Sequence, residues 1–205
     1  MNLIAFCGGP GAGKTESAQY LASHYGYTPR SFAAELKRIC AWRCEADWQE
    51  HLYEWCEARL VPLYGYPRMY ELYETLRAAM SKNRWQRGGK NRAMLQAVGN
   101  GARCVVKNVW VDLALADLPE RCVFDDVRFL NEYDALIAKG FTVYRITAPI
   151  TARLDRLRRR DGAVDEAALA APMEQGLPGV DVVEFANEGS VADLRGWCDA
   201  LVNPS

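Results

Sequence analysis

Gly8-Gly9-Pro10-Gly11-Ala12-Gly13-Lys14-Thr15 fits G-x-x-x-x-G-K-[ST] with no substitution. Glycines at 8, 9, 11 and 13 let the backbone curl so that several N–H groups point inward. A helix beginning at this point adds partial positive charge, which makes the curl a site for a polyphosphate. Lys14 would reach the β- and γ-phosphates, and the Thr15 hydroxyl would ligate Mg²⁺. Gly9, Gly11, Ala12, Gly13, Lys14, Thr15 and Glu16 form the candidate triphosphate site. The other reading, an ordinary glycine-rich turn, is disfavoured by context. Leu3-Ile4-Ala5-Phe6-Cys7 precedes the loop as a buried strand, and Ala18, Leu21, Ala22 and Tyr25 follow it at helical spacing.

Two further stretches could do chemistry beside it. Cys122-Val123-Phe124 reads as a strand running into Asp125-Asp126-Val127-Arg128. Carboxylates at a strand end downstream of such a loop suit a Mg²⁺ site, although strands also end in Asp for turn reasons. Past a strand over 141–147, Arg153, Arg156 and Arg160 fall on one helical face, within a run of five arginines in eight residues. They suit a lid closing over phosphates; a solvated basic helix is the alternative.

The elements that must position these groups alternate between strand and helix, which predicts an α/β fold with a parallel sheet. Gly26 ends the first helix, and Tyr27-Thr28-Pro29-Arg30 reads as a turn. A helix from Ala34 then carries Lys37 and Arg38. Residues 42–90 shift in composition toward Trp and Tyr. Trp48, Leu52, Trp55, Cys56 and Arg59 share one face, and Met69, Leu72, Tyr73, Leu76 and Met80 share another. Pro62 and Gly65-Tyr66-Pro67 lie between them, so the stretch reads as an inserted helical hairpin. Its rings are core, or one or two stack on a base. Arg84 to Lys90 reads as a polar loop, and the next helix carries Arg92, Leu95, Gln96, Gly99 and Arg103. Asn131 is placed to cap a helix with Phe129, Tyr133, Leu136 and Ile137 inward, and Gly140 to end it. Residues 151–179 form the expected lid region. A strand over 182–186 leads to Asn187, and Ser190 with Asp193 makes a capping box for a last helix.

The chain has 205 residues, half of them hydrophobic, with a net charge of −1. That suits one globular domain and gives no basic field for wrapping nucleic acid. Seven cysteines without a C-x-x-C, and two histidines, give little support to a zinc site and read as reduced thiols. With no apolar run of spanning length and a first strand close to Met1, the expected location is the cytoplasm, with no membrane partner.

Four blocks together resemble the deoxynucleoside monophosphate kinases of bacteriophage type. They are Gly8 to Thr15; Ser31-Phe32-Ala33 with Leu36-Lys37; Arg92, Leu95-Gln96, Gly99, Arg103 and Trp110; and Val123 to Glu132, above all Asp126-Val127-Arg128-Phe129 with Asn131-Glu132. The resemblance implies a three-layer P-loop kinase fold with a helical substrate-binding insert and an arginine-bearing lid. It implies ATP and Mg²⁺, a deoxynucleoside monophosphate as acceptor, and, for a phage-encoded protein, the host cytoplasm. By position, Lys14 and Thr15 would serve ATP and metal, and Asp126 would hold the metal through water. Arg128 would grip the acceptor phosphate, and Lys37, Gln96 and Arg103 would line the acceptor pocket. Arg156 and Arg160 would be lid arginines, and Asn187 would lie near the adenine. The family pattern has an acidic residue where Ala34 stands, a role that neighbouring Glu35 could take.

The tail, Asn187 with Gly189-Ser190 and Asp193-Leu194, also resembles the dephospho-coenzyme A kinases, which makes such an enzyme the alternative. A GTP-dependent switch is disfavoured because no N-K-x-D segment occurs, and a motor because nothing resembles a transporter signature or a basic groove. Pairing into a homodimer is compatible with the sequence.

Overall fold

A computed structural model describes residues 3–86, 91–162, 177 and 179–203. The chain divides into two compact units, Met1–Ser31 with Leu118–Ser205, and Phe32–Asp117.

The first unit holds a five-stranded sheet in the order β2-β3-β1-β4-β5, with every neighbouring pair parallel. The strands are β1 (Leu3–Cys7), β2 (Thr28–Arg30), β3 (Cys122–Val127), β4 (Thr142–Thr147) and β5 (Val183–Ala186). β1 is central, and Ile4, Ala5, Phe6 and Cys7 are wholly buried, which is why its sequence is an unbroken apolar run rather than an alternation. β2 corrects the expected turn at Tyr27-Thr28-Pro29-Arg30. Proline is tolerated there because β2 lies at the sheet edge and pairs on one side only.

Helix α1 (Lys14–Tyr25) leaves the glycine loop and ends at Gly26, whose left-handed backbone returns its N–H to the Leu21 carbonyl. The helix numbered α8 here (Val191–Val202) opens with the expected capping box, the Ser190 hydroxyl accepting the Asp193 N–H while the Asp193 carboxylate accepts the Ser190 N–H. Leu21 and Ala18 of α1 join Leu194 and Cys198 of α8 in one core with Ile4, Phe6, Val123 and Ile146 of the sheet. Tyr20 and Tyr25 of α1 both donate to the Asp199 carboxylate of α8, at 2.8 and 2.7 Å.

Helix α6 (Leu130–Ala138) departs from expectation at its start. Asn131 does not cap it: Phe129 is the N-cap residue, and the buried Glu132 carboxylate accepts the Arg128 and Phe129 N–H groups at 2.7 and 3.1 Å. Glu132 reaches back because it sits at the third helical position. Leu136 is buried, but Ile137, expected inward, is exposed. Helix α7 (Ile150–Asp161) carries the arginine run. The lid expected over 151–179 can be followed only as far as α7 and Gly162, since 163–176 and 178 lie outside the described residues.

The second unit is wider than the expected insert of 42–90, because α2 (Ala34–Ala41), α4 (Arg92–Val105) and α5 (Val109–Leu115) share a core with it. Within it, α3 (Trp48–Ser81) folds back at Gly65, whose φ of 74° and ψ of 168° break the helix. On a straight helix Tyr53 and Tyr73 would lie about 30 Å apart. Their ring centroids are 5.2 Å apart, so the expected hairpin is present. Trp48, Leu52, Trp55, Leu60, Met69, Leu72, Leu76 and Met80 line its buried side. Of the expected loop at 84–90, residues 87–90 lie outside the described residues.

Candidate active site

The glycine loop joins the end of β1 to the start of α1. Gly8 has a φ of 126°, and a side chain there would run into the backbone carbonyl of Ile146 in neighbouring β4, so only glycine lets the chain leave the sheet at this point.

Every carbonyl from Gly8 to Gly13 has a donor. Those of Gly8 and Gly9 accept Lys14 Nζ at 2.7 and 2.8 Å. Pro10 accepts Arg153 Nε at 2.8 Å, and Gly11 accepts Arg156 Nη1 at 3.3 Å. Ala12 accepts Asn187 Nδ2 at 2.7 Å, and Gly13 accepts the Ser17 N–H at 3.0 Å. Carbonyls fixed in this way cannot turn their negative ends toward a bound anion. Helix α1 opens at Lys14, and the partial positive charge of a helix start collects at its first turn. An arrangement of this kind can take a phosphate.

The carboxylates of β3 are divided. Thr15 Oγ1 donates to Asp125 Oδ2 at 2.7 Å, and Asp126 Oδ2 accepts from Ser31 Oγ at 2.5 Å. The expectation had joined Thr15 to Asp126. The register of β3 against β1 shifts here, Ala5 pairing with Phe124 and Cys7 with Val127, and within this irregular stretch it is Asp125 that meets Thr15. A hydroxyl and a carboxylate in contact form a hard oxygen donor set of the kind Mg²⁺ takes. Asp125 was visible in the sequence as one of a pair, but only the folded contact with Thr15 distinguishes it from Asp126.

The α7 arginines are also divided. Arg153 and Arg156 are half-buried against the loop, and Arg156 Nη2 also donates to the Asn187 carbonyl at 3.3 Å; Arg160 is exposed. Asn187, expected near an adenine, is buried, with its backbone N–H on the Thr147 carbonyl at 2.8 Å and its amide on Ala12. It ties the loop to the ends of β4 and β5. Glu16 is paired with Arg195 of α8 at 2.7 Å. Arg128 is exposed at the end of β3, its backbone held by Glu132. Sequence reasoning carried Glu132 as part of the resembling block without this task on the Arg128 and Phe129 amides; its spacing from the strand end was the available signal for it.

Lys37, Gln96 and Arg103 belong to the second unit. Lys37 and Gln96 are exposed, and Arg103 donates to Asn100 Oδ1 at 3.3 Å. Glu35 accepts the Trp55 indole N–H at 2.8 Å.

Cys7, directly before the loop, is buried, and burial pushes its thiol up despite the opposing Arg145 and Lys14 charges. It is an inert core thiol rather than a nucleophile.

The chain is 30% identical over 166 residues to an Acanthamoeba polyphaga mimivirus protein named "Putative deoxynucleotide monophosphate kinase", a match covering 73% of this chain and 75% of that one. No family model matches the chain. Among solved structures, TT1252 from Thermus thermophilus aligns over 98% of this chain and 97% of its own at 20% identity and a TM-score of 0.47. A sugar kinase from Janibacter sp. HTCC2649 aligns over 98% and 93% at 12% identity, also with a TM-score of 0.47. Among the described residues, no helix is long and apolar enough to cross a membrane.

The parallel sheet, the anchored loop and the relative together define a small-molecule kinase, a phosphotransferase. The chain belongs to the kinase family of the mimivirus protein.

Proposed function

We propose that this kinase transfers the γ-phosphoryl group of ATP to a deoxynucleoside monophosphate, giving the diphosphate and ADP. The observation that carries the reading is the loop whose carbonyls from Gly8 to Gly13 are all held by donors where it opens into helix α1. The relative's name supplies the acceptor class. The bacteriophage-type branch is proposed on the Asp126-Val127-Arg128-Phe129 block with Glu132.

Thr15 and Asp125 would hold Mg²⁺, with Asp126 close behind in sequence; bound there, the ion neutralises charge on the β- and γ-phosphates. Lys14 exchanges its loop carbonyls for phosphate oxygens. Arg128, held by its backbone at the strand end, offers a planar pair of donors to the acceptor's phosphate. Lys37, Gln96 and Arg103 are assigned to the acceptor's sugar and base. Arg156 and Arg160 are assigned to the transferring group.

The test is a panel of deoxy- and ribonucleoside monophosphates and dephospho-coenzyme A, each offered with ATP and Mg²⁺. Diphosphate formation from deoxynucleoside monophosphates is the expected result. Turnover of dephospho-coenzyme A alone would overturn the acceptor assignment.

A further inference from the structure

We propose that Arg153 is a positioning residue for the glycine loop, acting on its outer side and not on phosphate. The inference rests on the proposed donor site and assigns a task within it.

Two observations carry it. Arg153 Nε donates to the Pro10 carbonyl at 2.8 Å, from a helix 143 residues further along the chain. The Arg153 guanidinium also lies flat against Gly9, where a Cβ would strike its carbon and both terminal nitrogens. Gly11 meets the same residue from the other side, since a Cβ there would approach the Arg153 carbonyl at 2.7 Å. The first half of the loop is therefore seated on one arginine. Leu157, buried one turn on, fixes α7 in place.

The chemistry follows from the donor geometry. Nε–H is the guanidinium donor nearest the backbone of its own helix, and using it on Pro10 turns the plane of the head group onto Gly9. Lysine has no donor at that position and no plane to lay on a glycine. A phosphate ligand would behave differently, because an ammonium keeps the charge that phosphate needs. The arginine face read from the sequence thus splits. Arg153 and Arg156 hold carbonyls of Pro10 and Gly11, and Arg160 at the far end is exposed.

Three variants test this: Arg153→Lys, Arg153→Met and Gly9→Ala. The last leaves the charge in place and displaces the guanidinium, which is the mobile partner in that contact. The first readout is amide hydrogen exchange over residues 8–14 in the free protein, which needs no nucleotide. All three should exchange faster by about tenfold, with little change in the helices of the second unit. The second readout is the dissociation constant for a non-hydrolysable ATP analogue with Mg²⁺, expected to rise by about tenfold in all three, with kcat at saturating donor within about threefold of wild type in the two Arg153 variants.

Wild-type exchange over 8–14 in Arg153→Met would overturn the proposal. So would an Arg153→Lys protein that binds the analogue as wild type does, or one whose defect lies in kcat alone, since either makes the residue a phosphate contact. A wild-type chain that binds no nucleotide, while the variants still exchange faster, keeps the clamp and removes the donor-site reading.

Discussion

The two units differ in what their polar groups converge on, which in the sheet unit is one loop. In the sheet unit, buried and half-buried donors are spent on backbone carbonyls far away in sequence: Asn187 on Ala12, Arg153 on Pro10, Arg156 on Gly11. In the hairpin unit, ion pairs such as Arg68–Glu71 and Arg77–Glu74 lie three residues apart on one helix and keep much of their surface in solvent. Exposed pairs of this kind contribute a few tenths of a kcal/mol. What holds that unit is its apolar core of Trp48, Leu52, Leu60, Leu72, Leu76 and Met80. The lesson is that stability and site order are separable here. Cutting the hairpin core should cost fold, and cutting the loop's donors should cost ligand.

The largest effect should come from Leu72→Ala, which empties a fully buried position. We expect about 2–5 kcal/mol of stability to be lost, read by denaturant unfolding. The contrast between the units fails if ATP affinity of the folded fraction drops as well. Lys14→Ala is the converse. Its melting temperature should stay within about two degrees of wild type, while kcat falls by about two orders of magnitude or more, about 2.7 kcal/mol of transition-state stabilisation. Wild-type turnover would take Lys14 out of the chemistry.

Arg128→Lys should sharpen the division inside the sheet unit. The KM for the monophosphate should rise by about tenfold, about 1.4 kcal/mol, with ATP binding unchanged, because lysine cannot make two parallel bonds to phosphate. Weakened ATP binding with an unchanged acceptor KM would move Arg128 to the donor side.

The smallest effect concerns Asp199. The phenols of Tyr25 and Tyr20 hold its carboxyl below the usual range, and the same bonding pushes Tyr25 up to about 12. A depressed carboxyl contributes stability that is complete above its unfolded value of about 3.9 and is lost as pH falls through the folded value. The raised phenol contributes below its unfolded value of about 10 and loses that contribution as pH rises toward 12. Asp199→Asn should therefore flatten the stability profile below about pH 4 and above about pH 10. An unchanged profile would show that these bonds are not formed in solution.

The sequence by itself determined the parallel α/β class, because an apolar run, a glycine loop and a helical stripe in that order admit little else. It also determined the hairpin turn, since Gly65 between two prolines cannot continue a helix, and the last helix's start, since Ser190 and Asp193 cap each other locally. Each of these is set within about one or two turns of chain. Tertiary structure decided the rest. Thr28–Arg30 becomes a strand because β3 offers it an edge, a partner more than ninety residues away. Asp125 meets Thr15, and Asp126 meets Ser31, in the stretch where the register of β3 against β1 shifts. Arg153 and Asn187 reach the loop because β1 and β4 lie side by side, and the helix after β4 begins over the glycines. Spacing along the chain carries no record of which distant carbonyl a donor will find.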